Sequence, residues 1–190
     1  MRERVLFRLQ RLSALALIGF VAAHLAGILV FTHRGLSAAV ILGRVQDWLW
    51  LYGVFAVVAA LHAGIGLRAL ARERFRFAPR RHARHVAFYA FAAHRLTGLA
   101  LALFLALHLA ALWRLPDAEI FDGALALTAH PLARAGEILI VAALALHLAG
   151  GARILAAEFL PGRARGGGRI AASVLFAGAV AAAYALWGQA

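Results

Sequence analysis

Apolar residues in this chain come in long unbroken blocks, not in the alternation of a half-buried strand. Five blocks stand out, at about 12–31, 48–67, 96–113, 136–155 and 170–187. Four of them hold no Asp, Glu or Arg, and neither does 138–152, the centre of the fourth block. A membrane-spanning helix needs about 20 mostly apolar residues. In lipid the backbone must satisfy its own hydrogen bonds, so continuous runs of this kind are predicted to be helices. The predicted fold is therefore all-α and integral to a membrane, with five transmembrane helices.

The polar stretches punctuate the blocks. Residues 1–11 form a basic lead-in with Arg2, Arg4, Arg8 and Arg11. It looks like the start of a signal peptide, but the run behind it exceeds a usual signal core and recurs from Leu96, so it reads as a mature helix. A loop, with a short interfacial helix from Leu36, is expected before the second block. The arginine-rich segment 68–95, with Pro79 as breaker, is the main connector. Pro116 and Pro131 mark the next loop. Pro161 and the turn Gly166-Gly167-Gly168 mark the last.

The chain repeats itself. Arg11, Ser13 and His24 recur as Arg95, Thr97 and His108, each shifted by 84 residues. His62 to Arg68 recurs as His147 to Arg153, shifted by 85. Residues 1–79 thus form a first copy with two helices, and 80–190 a second copy with three. Both copies start on the same side of the membrane, as a tandem parallel repeat about an axis along the membrane normal. The expected arrangement is a four-helix core with one extra helix.

Composition agrees. The chain is 64% hydrophobic with mean hydropathy +0.83, well above a soluble domain. It has no cysteine, which excludes disulfides, thiolate metal sites, iron–sulfur clusters and covalent haem attachment. Its net charge is +12, and every basic residue is arginine. With the N-terminus in the cytoplasm, sixteen of the twenty arginines fall on the inner side. This matches the positive-inside rule and places the C-terminus outside. The charge is topological, and no nucleic-acid partner is expected. Trp48, Trp50, Trp113 and Trp187 at block ends form an aromatic belt.

Four histidines lie within the apolar blocks. His24 lies 13 residues beyond Arg11, as His108 does beyond Arg95. At about 1.5 Å per residue, both sit about 20 Å from the inner boundary. His62 lies 6 residues before Arg68, as His147 does before Arg153, so both sit about 9 Å from that boundary. The repeat axis brings His24 opposite His108, and His62 opposite His147. Ionisable residues inside a bilayer are costly and functional by default. Two matched pairs ask for two ligands stacked across the membrane, and a haem held by two imidazoles fits each. Phe20 and Phe104, one turn before His24 and His108, are placed to pack on the ring. Gly66 and Gly151, one turn after His62 and His147, would let a flat macrocycle approach the backbone. Arg11, Arg95, Arg68 and Arg153 are candidate partners for its propionates. Zinc fits poorly, because 12–31, 48–67, 96–113 and 138–152 offer no carboxylate or thiolate to complete a tetrahedral site. His33, His82, His85 and His130 read as solvated or interfacial, while His94 abuts Arg95 at the inner interface.

His94-Arg95-Leu96-Thr97-Gly98 resembles the His-Arg-x-Thr/Ser-Gly signature of succinate dehydrogenase cytochrome b subunits. His147 to Arg153 resembles that family's second motif, a haem-ligating histidine followed by small residues and Gly-x-Arg. Ile154 stands where that motif continues with histidine, and Glu158 where it ends with Asp. The resemblance covers Arg80 to the C-terminus; the N-terminal part looks like a shortened partner anchor. The whole chain is similar to fused, five-helix, di-haem anchors of succinate dehydrogenases and fumarate reductases. It implies two haem b, with His24, His62, His108 and His147 as axial ligands to the iron. It also implies a quinone site (menaquinone or ubiquinone) drawing on His94, Arg95 and Thr97, with no other catalytic site. The implied partners are a flavoprotein and an iron–sulfur subunit on the cytoplasmic face of a bacterial inner membrane. Competing readings are the di-haem cytochrome b of a hydrogenase or formate dehydrogenase, and a haem-free scaffold or transporter.

Overall fold

The computed structural model describes residues 2–34, 49–72, 86–113, 123, 126, 130–159 and 167–187. Five long helices account for nearly all of them: α1 (Arg2–Arg34), α2 (Leu49–Arg72), α3 (Val86–Trp113), α4 (Pro131–Phe159) and α5 (Gly167–Trp187). Each covers one apolar block. By length and composition α1 to α4 are able to cross a membrane, while the apolar part of α5, Ile170–Leu186, is shorter. The expected interfacial helix from Leu36 and the copy boundary at 79/80 lie outside the described residues; of the expected turn Gly166-Gly167-Gly168, Gly167 and Gly168 are instead the first residues of α5, because the helix continues back from the apolar block.

Two helix starts differ from expectation. The basic lead-in is the first part of α1, continuous from Arg2. Likewise α3 begins at Val86, so His94 to Gly98 lie more than two turns inside it. The physical reason is the same at both places. Phe7 lies among Arg4, Arg8 and Arg11, and Phe88, Tyr89 and Phe91 precede His94 and Arg95; aromatic rings beside basic residues suit a helix passing through the headgroup layer. At the other end of the bundle, His130 caps α4. Its Nδ1 accepts the Leu132 N–H at 3.2 Å, its carbonyl accepts the Arg134 N–H at 3.1 Å, and Pro131 occupies the first helical position.

Within the first copy α1 packs on α2; within the second, α4 packs on α3 and on α5. The copies meet more sparingly, α2 against α3 and α1 against α4. The four core helices therefore form a ring with its loosest seam between copies, and α5 lies outside it. Small side chains set the closest packing: Ala145 of α4 and Ala177 of α5 are buried, as expected where helices approach without a hydrophobic driving force. Outward positions are large and apolar, with Leu107, Leu139 and Leu175 each more than 60% exposed. Such a surface suits lipid and not water. Among the described residues the one buried polar side chain is Ser13.

Candidate functional site

The helix seam brings His62 of α2 and His147 of α4 together. Their ring centroids are 6.3 Å apart and their planes nearly perpendicular, at 87°. Each ring is tied back to its own copy through Nδ1. His147 Nδ1 lies 3.0 Å from the carbonyl oxygen of His94, with Thr97 Oγ1 at 3.5 Å. His62 Nδ1 lies 3.1 Å from Ser13 Oγ. On its other side His62 Nε2 faces Gln10 Nε2 at 3.4 Å. Gln10 Oε1 is buried and has no hydrogen-bond partner.

His94 is part of this cluster. Its ring stacks on that of His147, with centroids 4.1 Å apart at 10°. Its Nδ1 lies 3.1 Å from the His147 carbonyl oxygen, so each of the two rings reaches the other's backbone. Glycines make the room. A Cβ on Gly98 would stand 2.8 Å from His147 Cε1, and one on Gly150 would stand 2.9 Å from His94 Nδ1. Thr97 donates its hydroxyl within α3, to Ala93 O at 2.7 Å and His94 O at 3.1 Å.

His24 and His108 are half-buried. Each stacks on the phenylalanine one turn earlier: Phe20 on His24 at 5.6 Å and 13°, Phe104 on His108 at 5.3 Å and 20°. Phe20 also stacks on Phe55 at 4.1 Å, and Tyr52 meets the His24 ring edge-on at 6.0 Å. So His24 sits in an aromatic cluster that spans α1 and α2.

The four candidate arginines divide. Arg11 lies over Phe7 at 4.1 Å, and Arg95 over Phe91 at 3.9 Å, the same cation–π contact 84 residues apart. Arg68 pairs with Glu3 at 3.3 Å, and Arg72 joins the same carboxylate. Arg153 lines an open, mostly apolar groove of about 540 Å3 between α1, α4 and α5, with Ile18, Ala152 and Phe176 among its walls. The space at Gly151 is bounded by His94 Cε1 at 3.5 Å, and that at Gly66 by Gln10 Nε2 at 3.8 Å.

The sequence pattern did not single out Gln10 or Gly150; it quoted Gly98 only as the end of a signature and used Ser13 only to register the repeat. A signal was present. Position 10 aligns with 94, position 13 with 97, and Ile65 with Gly150. Where the first copy has Gln10 and Ile65, the second has the bulkier ring of His94 and no side chain at Gly150.

Residues 78–186 match a family described as succinate dehydrogenase/fumarate reductase transmembrane subunit. The match takes in α3, α4 and α5, and with them His94, His108 and His147. No curated protein matches the chain, and no solved structure does either.

Proposed function

The chain belongs to the succinate dehydrogenase/fumarate reductase transmembrane subunit family, and from that premise we propose that it is the cytochrome b anchor of a succinate:quinone oxidoreductase. In this reading it holds two b haems and passes electrons between an iron–sulfur subunit and the quinone pool. The observation that carries the reading is the approach of His62 and His147 across the seam between copies. Two imidazoles sharing one metal through bonds of about 2 Å have ring centroids about 6 Å apart, close to the 6.3 Å separation here.

The donor set fits the group. Both histidines turn Nδ1 towards helix oxygens, the usual backing of a ligating imidazole whose Nε2 meets the metal. The orphaned Gln10 Oε1 marks the same seam as one whose polar groups the protein alone leaves unsatisfied. His24 and His108 would hold the second haem, with Phe20 and Phe104 fixing the imidazole planes.

A haem held by these histidines would supply one-electron transfer. The protein's own part is to bind and insulate. The helices half-bury the imidazoles, and lipid would cover the rest. Arg11, Arg68, Arg95 and Arg153 supply cations near the inner interface for the propionates. His94, Arg95 and Thr97, on one turn of α3, are the proposed quinone contacts. The arginine-rich inner face would receive the iron–sulfur and flavoprotein subunits, in a bacterial inner membrane with the N-terminus inside.

The test is to isolate the tagged chain from its own membranes and record the b-type absorbance band. The reading expects flavin-bearing and iron–sulfur subunits to co-isolate, succinate to reduce the band and fumarate to reoxidise it. A band indifferent to both substrates would refute it.

A further inference from the structure

We propose that Ser13 is the positioning residue of His62, fixing its tautomer so that Nε2 is the bare nitrogen. The redox consequences of this rest on the haem reading above; the tautomer itself does not.

Ser13 is only 5% exposed, the one buried polar side chain among the described residues. Its hydroxyl proton is committed: Oγ donates to the Gln10 carbonyl at 3.0 Å. That leaves only lone pairs for the ring nitrogen 3.1 Å away, so His62 Nδ1 must carry the proton and Nε2 must not. Gln10 Nε2, which only donates, faces His62 Nε2 at 3.4 Å and agrees with that tautomer.

The second copy reaches the same result by another route. His147 Nδ1 meets the His94 carbonyl oxygen directly at 3.0 Å, and a carbonyl only accepts. Thr97 stands farther off, at 3.5 Å, with its own proton given to Ala93 O and His94 O. Gln10 and His94 occupy equivalent positions in the two copies. The acceptor is thus the same backbone carbonyl, direct in the second copy and relayed through the Ser13 hydroxyl in the first. To hold the ring proton on Nδ1, the first copy needs Ser13, whereas the second does not need Thr97.

The experiment compares full-length wild type, Ser13→Ala, Ser13→Thr and Thr97→Val. Solid-state 15N NMR of haem-free protein reads the His62 tautomer. Potentiometric titration and low-spin ferric EPR read the haems. Ser13→Ala is expected to move His62 towards Nε2–H. It should also raise the midpoint potential of one haem, because the ligand becomes less basic, and weaken that haem about 10–100-fold. The other haem should keep its potential and g-values. Ser13→Thr restores wild-type behaviour, and Thr97→Val leaves both haems unchanged.

The proposal is overturned if wild-type His62 carries its proton on Nε2, a reading that needs no variant to fold. It is also overturned if Ser13→Ala matches wild type, or if Thr97→Val moves a haem as far. A wild type without haem whose His62 still switches tautomer in Ser13→Ala would refute the haem reading and support the role of Ser13.

Discussion

Replacing Gly98 by alanine tests the packing that holds the candidate site together. The new Cβ would stand 2.8 Å from His147 Cε1 and 3.2 Å from its Nδ1. Comfortable carbon–carbon contact is about 3.5–4.0 Å, so the ring must retreat by about 0.7 Å or the helices must part. The ring is not free to retreat. His147 Nδ1 is bonded to the His94 carbonyl at 3.0 Å, and the ring is also stacked on that of His94. Overpacking of this kind costs about 1–3 kcal/mol. Against it stands the helix-propensity gain of alanine over glycine, about 0.8–1 kcal/mol. The net expectation is a loss of about 0–2 kcal/mol, from the difference of those two ranges. In a chain of this length that lowers Tm by up to about 8 °C. Gly64→Ala is the control, because its Cβ would meet nothing within 4 Å, and it should leave Tm unchanged or slightly raised. The assay is thermal unfolding of both variants in one detergent, followed by circular dichroism. A Gly98→Ala protein as stable as Gly64→Ala would refute the close approach of α3 to α4.

Other outcomes follow from the same geometry. Glu3→Gln removes the carboxylate shared by Arg68 and Arg72, but all three side chains are more than 40% exposed; the loss should stay below about 1 kcal/mol and shrink further in high salt, read as Tm at two ionic strengths. His130→Ala removes the cap of α4 and should cost about 0.5–1 kcal/mol, seen as faster amide exchange in the first turn, with His130→Asn restoring protection. Phe20→Leu should destabilise more than Phe104→Leu, because Phe20 stacks on Phe55 as well as His24, and each aromatic contact contributes about 0.5–1.5 kcal/mol beyond area; paired melting curves give the comparison.

The five helices were legible because the bilayer imposes length and apolar content on each spanning segment, and the chain writes both plainly. The His62–His147 approach was legible too, since equal spacing from Arg68 and Arg153 puts the two rings at equal depth. The start of α3 was not. Arginines between 68 and 95 read as a loop, whereas Phe88, Tyr89 and Phe91 let the helix continue to His94 and beyond. That extension turns His94 from an interfacial residue into the neighbour stacked on His147. Gly98 and Gly150 were opaque for a different reason. A small residue in an apolar helix is common, and only the opposing ring shows what its missing side chain makes room for. Ser13 was likewise hidden, because its partner is 49 residues away.

The central claim is that two pairs of histidines hold two haems, and haem content per chain tests it most directly. Pyridine haemochromogen analysis of the purified complex should give two b haems per chain. His62→Ala and His24→Ala should each retain one, with different midpoint potentials. A wild type with no haem, or one whose haem survives both substitutions intact, would contradict the account.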